Sequence, residues 1–131
     1  MNILEFKHLL AKSEYAPKEI LEILAKDENY LVRKSVARNT KTPKEVLEFL
    51  AKDEYYCIRA LAAKNPNISK EILEILAKDE SFYIRETVAK NPNVSKEILK
   101  FLAENKHPWI RSYISNRMNF DCSLFAYNIK F

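Results

Sequence analysis

The sequence predicts an all-α fold, a short α-solenoid built from two-helix repeats of 26 residues. Three observations support it: the 131-residue chain repeats itself without gaps, its apolar residues recur at helical spacing, and it contains no glycine. Each unit carries Lys-Glu at its third and fourth positions, Leu at its sixth and Arg at its eighteenth. Self-similarity at a fixed period of this kind is typical of solenoids, in which each unit completes the core of its neighbour.

The repeat divides one domain, residues 1–131, into four complete units with a half unit on either side. The segments are 1–15, 16–41, 42–67, 68–93, 94–119 and 120–131. We interpret the two half units as caps of the solenoid and expect no β-sheet. The segment 120–131 is rich in apolar residues, so it either closes the core of a monomer, which we favour, or forms a homodimer interface.

The first helix of a unit is predicted from its start signals and apolar positions. In the second unit, Thr42 can cap the helix, Pro43 suits the first helical position, and Glu45 completes a capping box. The apolar positions that follow, the fifth, sixth, eighth and ninth, form a wide helical stripe rather than a strand alternation. In this unit they are Val46, Leu47, Phe49 and Leu50.

The second helix of a unit is predicted between an aspartate and an asparagine. Aspartate favours helix N-caps, and it stands at the twelfth position of the first three units as Asp27, Asp53 and Asp79. The helix then ends at Asn39, Asn65 or Asn91. In two units a proline follows that asparagine, and proline disfavours the helical conformation for the residue before it.

These motifs resemble the leucine-rich repeat variant family, within the HEAT-like and armadillo-like α-solenoids. The shared pattern is P-x-E-I/V-L-x-x-L-A-x-D, followed by I/V-R-x-x-V-A-x-N-P-N, and it covers nearly the whole chain. The resemblance implies a right-handed superhelix of two helical layers, one of which contains 3₁₀ segments in the variant repeats. Residues that carry it in the second unit are Pro43, Glu45, Leu47, Leu50, Ala51, Asp53, Ile58, Arg59, Ala63, Asn65 and Pro66.

Some members of that family hold an iron–sulfur centre on an N-terminal cysteine cluster. Residues 1–56 of this chain contain no cysteine, so that cofactor is not carried over, and we expect no cofactor. The two histidines, His8 and His107, lack companion ligands at metal-binding spacing, so no metal site is expected. A glycine-rich phosphate loop is excluded as well.

The arginine at the eighteenth position is interpreted as structural. In HEAT-like proteins an Asp and an Arg six residues apart form a ladder of charge-assisted hydrogen bonds between units, and an arginine so occupied is a poor phosphate ligand. The fourth unit has Asn105 where the others have Asp. The ladder residues predicted here are Asp27, Arg33, Asp53, Arg59, Asp79, Arg85 and Arg111.

Positions on the second helix that differ between units are the candidates for binding. If these helices line the concave face, aromatic and basic side chains share one groove, a composition that suits protein partners and single-stranded nucleic acid. The alternative is that the aromatic residues pack between units and the lysines are solvated. The candidate partner-binding residues are Tyr56, Tyr83, Trp109, Arg38, Lys64 and Lys90.

The function predicted from the sequence is a non-enzymatic module that binds a protein or peptide in this groove. Nucleic-acid binding, with Arg117 beside the same residues, is the alternative, and a purely structural spacer is a third reading. The net charge of +4 permits an acidic partner without requiring one. No apolar run is long enough for a membrane span, and two cysteines far apart in sequence suggest a cytoplasmic protein.

Overall fold

The computed structural model describes residues 1–104 and 107–117, and within these ranges the chain forms nine α-helices and no strand. The predicted all-α class is confirmed. Residues of the predicted C-terminal half repeat, 120–131, lie outside the described part of the chain. The helices are α1 (Ile3–Lys12), α2 (Lys18–Leu24), α3 (Tyr30–Arg38), α4 (Lys44–Leu50), α5 (Tyr56–Lys64), α6 (Lys70–Leu76), α7 (Phe82–Lys90), α8 (Lys96–Ala103) and α9 (Pro108–Arg117).

The helices are arranged as a short solenoid of two layers. The second helices of the units pack side by side in the order α1, α3, α5, α7 and α9, and we call this layer the inner layer. Each first helix, α2, α4, α6 or α8, packs against the second helix of its own unit. We call the even-numbered helices the outer layer, and both layers are α-helical throughout the described residues.

One continuous hydrophobic core runs between the two layers. Leucines of the outer helices, such as Leu47 and Leu73, are fully buried against isoleucines of the inner helices, such as Ile58 and Ile84. Burial of each such side chain stabilises the fold by about 1.5–3 kcal/mol. Alanine recurs fully buried in three successive inner helices, where its small side chain lets neighbouring helices approach closely. These alanines are Ala37, Ala63 and Ala89.

The outer helices begin differently from unit to unit. In units three and four the side chains of Ser69 and Ser95 cap the helix, because each accepts a hydrogen bond from the amide three residues later. In unit two the predicted cap at Thr42 is wrong. Its hydroxyl is fully buried and donates to the Val36 carbonyl at 2.7 Å, so Pro43 takes the N-cap position without a side-chain hydrogen bond.

The prediction that aspartates cap the inner helices is wrong, because the N-cap residues are Asn29, Tyr55 and Ser81. The inner helices begin three residues after the aspartates, at Tyr30, Tyr56 and Phe82. Each aspartate lies in the turn before the helix and accepts a hydrogen bond from the amide two residues on, at 2.8–3.0 Å. The turn leaves the other carboxylate oxygen directed toward the preceding repeat.

The inner helices end at asparagines that join neighbouring units. The side-chain amide of Asn39 donates to the Ala11 and Ser13 carbonyls, at 2.8 and 2.9 Å. Asn65 and Asn91 repeat this contact one and two units later, and both are buried. At the same position of the fourth unit, Arg117 donates to the Ala89 and Asn91 carbonyls instead. These asparagines and Arg117 form a second ladder, which we call the amide ladder.

Candidate binding groove

A cavity lies on the inner layer, across α3, α5 and α7. Its volume is about 590 Å³. The floor is apolar and comes from α5, with Cys57, Ala60 and Leu61. The other residues that line it are Lys34, Arg38, Tyr56, Lys64, Ser81, Phe82 and Tyr83.

Two smaller cavities extend this space in both directions. One of about 150 Å³ shares Lys64 and Tyr83 with it and reaches Lys90 on α7. Another, of about 180 Å³, shares Arg38 and reaches Lys12 on α1. The three cavities share lining residues, so they form one continuous depression along the inner layer, which we call the groove.

One position of the repeat contributes a basic residue from each helix along the groove. Lys12, Arg38, Lys64 and Lys90 are the last residues of α1, α3, α5 and α7, and all four are exposed. They are 26 residues apart in sequence, and consecutive helices pack side by side, so they form a row across the inner layer. We call these four residues the basic row. Positive charge at a helix C-terminus is also favoured by the helix dipole.

Two tyrosines of the groove pack against each other. The rings of Tyr56 and Tyr83 have centroids 5.9 Å apart and meet at 87°, the edge-to-face geometry that aromatic pairs prefer. Lys64 Nζ donates to the Tyr83 hydroxyl at 3.2 Å and lies 5.6 Å from the centroid of the same ring. The aromatic pair and one member of the basic row are therefore held together in this structure.

The groove carries more positive than negative charge. Its three cavities are lined by five side chains of Lys or Arg and by one carboxylate, that of Glu86. Glu86 pairs with Lys90 at 2.7 Å, and this hydrogen bond raises the pKa of Lys90 above its usual value. Among the described residues, Lys12, Arg38 and Lys64 form no ion pair. Their charges are available to a ligand.

The structure brings together most of the residues predicted to bind a partner. Arg38, Tyr56, Lys64 and Tyr83 line the 590 Å³ cavity, and Lys90 lines the adjoining one. Trp109 stands apart from them. It lies at the start of α9, is 74% exposed, and lines none of the three cavities of the groove.

The predicted ladder residues lie away from the groove, between successive units. Arg33 Nε donates to Asp53 at 2.8 Å, and Arg59 Nε donates to Asp79 at 2.9 Å. Each carboxylate belongs to the following unit. The aspartate six residues before each arginine contributes its backbone carbonyl, which accepts from the guanidinium at 2.7 Å. Each of these two guanidiniums thus bonds backbone carbonyls of its own unit and the carboxylate of the following unit.

The two ends of this ladder differ from its middle. Lys7 of α1 replaces arginine and pairs with Asp27 at 2.7 Å, and this hydrogen bond lowers the pKa of Asp27. At the other end, Arg85 donates to the Asp79 carbonyl at 2.7 Å, whereas its buried Nε has no hydrogen-bond partner within residues 1–104 and 107–117. Arg111 is half-buried in α9.

The outer layer carries an exposed row of apolar side chains that was not predicted from the sequence. The eighth position of each unit was assigned to the core stripe, yet Phe49 is 48% exposed. Its ring contacts the Lys26 ammonium at 5.7 Å, and Phe101 and Lys78 repeat this arrangement two units later. A four-unit recurrence of large apolar residues is the signal that could have drawn attention to this row. Its members are Ile23, Phe49, Ile75 and Phe101.

Metal ligands are not gathered anywhere in the described part of the chain, where no cluster of three His, Cys, Asp or Glu residues could hold an ion. None of the described helices has the length and apolar character needed to cross a membrane. Comparisons of this chain with protein families, curated proteins and solved structures gave no match. Its resemblance to the leucine-rich repeat variant family stays a prediction from the repeat residues.

Proposed function

We propose that this protein is a non-enzymatic binding module whose groove holds a peptide or an extended segment of a partner protein. One observation carries the proposal: Arg38, Tyr56, Lys64 and Tyr83, from three separate helices, line one cavity of about 590 Å³ with an apolar floor. Tyrosine and arginine are enriched where protein partners bind most strongly.

The arrangement of the groove suits binding more than catalysis. The edge-to-face contact of Tyr56 and Tyr83 and the hydrogen bond from Lys64 fix the side chains before a ligand arrives, which reduces the entropy lost on binding. An open groove along a stack of helices also gives a partner a long surface to contact, as in other solenoids. A cytoplasmic location and membership in the leucine-rich repeat variant family are part of this proposal, on the sequence features already described.

Selection of peptides from a random linear library displayed on phage tests the proposal. We expect the selected peptides to bind the unchanged protein. Their affinity for the double variant Tyr56→Ala/Tyr83→Ala should be much lower. The matched control is Phe49→Ala/Phe101→Ala, which removes two exposed aromatic rings from the outer layer and should leave binding unchanged. Selected peptides that bind both variants equally well would show that the groove is not the binding surface.

Binding of single-stranded nucleic acid is the second candidate function. It is favoured by the row of four exposed basic residues along the groove and by the exposed ring of Trp109 on α9. Binding of fluorescent oligothymidylate, measured at increasing salt, tests it. Nucleic-acid binding requires affinity that falls steeply with salt concentration, because phosphate contacts release counterions. Absent or salt-insensitive binding would remove this candidate.

A further inference from the structure

The spacing of the basic row suggests which ligand fits the groove. Its four members end four helices that pack side by side, and the axes of packed helices are about 8–10 Å apart. Equivalent residues on neighbouring helices are separated by roughly the same distance. The groove therefore presents one positive charge about every 8–10 Å along its length.

An extended peptide in the polyproline II conformation has nearly the same period. It has three residues per turn and rises about 3.1 Å per residue, so every third side chain lies on one face at intervals of about 9.3 Å. We infer that the groove binds an acidic peptide in this conformation, with a carboxylate at every third residue directed to successive members of the basic row. This inference rests on the proposed function, because it specifies the ligand of the same groove.

The charges of the groove complement such a peptide. Arg38 and Lys64 occupy the centre of the row, and neither has an ion-pair partner among the described residues. Lys34 adds a further positive charge beside Arg38 on α3. At the α7 end, Glu86 already pairs with Lys90, so this end should contribute least to binding an acidic residue.

The aromatic pair suits the remaining residues of the peptide. A polyproline II helix makes no internal hydrogen bonds and docks in grooves lined by aromatic side chains. Tyr56 and Tyr83 line the same cavity as Arg38 and Lys64, together with apolar residues of α5. Prolines between the carboxylates can pack there, and the hydroxyl groups can donate to peptide carbonyls.

The same contacts favour a peptide over a nucleic acid. Bases bind by stacking on open aromatic faces. In the groove, the edge-to-face contact of Tyr56 and Tyr83 places the edge of one ring against a face of the other, which leaves fewer open faces for a base.

Fluorescence anisotropy with four synthetic probes tests the inference on the whole protein. The first probe is a labelled peptide of four Glu-Pro-Pro triplets. The second has the same composition with its four glutamates adjacent, the third has glutamine in place of glutamate, and the fourth is oligothymidylate. We expect the triplet peptide to bind about tenfold more tightly than the second and third probes, because only its carboxylates match the row.

Single substitutions test whether the basic row binds the triplet peptide. Lys64→Ala and Arg38→Ala should each weaken binding of the triplet peptide by about fivefold to tenfold. Lys52→Ala removes an exposed lysine that lies outside the groove, in the turn after α4, and should change nothing. Circular dichroism of each variant checks that its helices are intact.

Each other outcome overturns the inference in a distinguishable way. Equal binding of the triplet and clustered peptides would show that the spacing has no effect. If library-selected peptides require Tyr56 and Tyr83 but lack regularly spaced carboxylates, the inference fails and the proposed function stands. If no peptide binds through the groove, both fail, and binding of oligothymidylate alone would support the nucleic-acid function.

Discussion

The side-chain amide of Asn65 donates to the carbonyl oxygen of Ala37 at 2.9 Å, across the boundary between two repeats. The same amide donates to the Asn39 carbonyl, also at 2.9 Å, and its own carbonyl oxygen accepts from the amide of Asn67. One buried side chain thus supplies hydrogen-bond donors to carbonyls at the end of one inner helix and joins that helix to the next one. Since the contact recurs at Asn39 and Asn91, the amide ladder keeps the inner helices, and therefore the groove residues, in register.

Replacement of Asn65 by alanine should lower the free energy of unfolding by about 2–3 kcal/mol. Three hydrogen bonds of the Asn65 side chain are lost, and the carbonyls of Ala37 and Asn39 are left without this partner. Urea denaturation followed by circular dichroism measures the change. Asn93→Ala is the matched control, because Asn93 is exposed, and it should alter stability by less than about 0.5 kcal/mol. Equal effects of the two substitutions would contradict the role of the amide ladder.

The pair Arg59–Asp79 should show a strong energetic coupling. Its atoms are 2.9 Å apart, and the two side chains are only 12% and 11% exposed. In a double-mutant cycle with Arg59→Met and Asp79→Asn, we expect a coupling free energy of about 1–3 kcal/mol. A value near zero would mean that the arginine ladder contributes nothing specific to the joining of units. The exposed pair Lys18–Glu22, at 3.9 Å, provides the comparison.

Residue 105 offers a test of how the arginine ladder could be extended. In sequence it stands where Asp53 and Asp79 stand in their units, but it is asparagine, and Arg85 Nε is buried without a partner among the described residues. We expect Asn105→Asp to raise the free energy of unfolding by about 1 kcal/mol by supplying a carboxylate. The gain should disappear when Arg85→Met is also present. A gain that persists there would have another cause.

Stability at acid pH should depend on the Lys7–Asp27 pair. The hydrogen bond from Lys7 lowers the pKa of Asp27 below its ordinary value of 3.8 in the folded protein. The pair therefore contributes stability above that ordinary value, and this stability is lost as the pH falls through the lowered pKa. Lys7→Met should reduce the stability lost between about pH 5 and pH 2 in urea unfolding. Lys18→Met replaces an exposed lysine, and this variant should lose as much stability over the same pH range as the unchanged protein.

Much of the fold could be predicted because the signals recur in every unit. The apolar stripe and the fixed period place the helices and their layers, and the asparagines mark the ends of the inner helices. The details that were wrong depend on tertiary contacts. Thr42 turns inward to the Val36 carbonyl, and Asp53 lies in the turn before α5, whose N-cap is Tyr55. Neither placement can be read from local sequence preferences.

The candidate site could be predicted only in part. Four of the residues chosen for their variation between units line the main cavity, and their role in binding stays a prediction. Trp109 was grouped with them by composition alone, and it lines none of the groove cavities. Arg117, named for nucleic-acid binding, instead contacts backbone carbonyls of the amide ladder. A single sequence does not reveal which basic side chains are hydrogen-bonded to the backbone of a neighbouring unit.

The most direct test of the groove is a titration of ¹⁵N-labelled protein with the Glu-Pro-Pro peptide, followed by heteronuclear NMR. We expect chemical-shift changes to concentrate on the inner helices, around Arg38, Lys64 and Tyr83, and to spare Phe49 and Phe101 on the outer layer. Saturable changes confined to the groove would support its role as the binding surface. Changes centred on the outer apolar row would contradict the groove as the binding surface, and no changes at all would contradict the inference of an acidic peptide ligand.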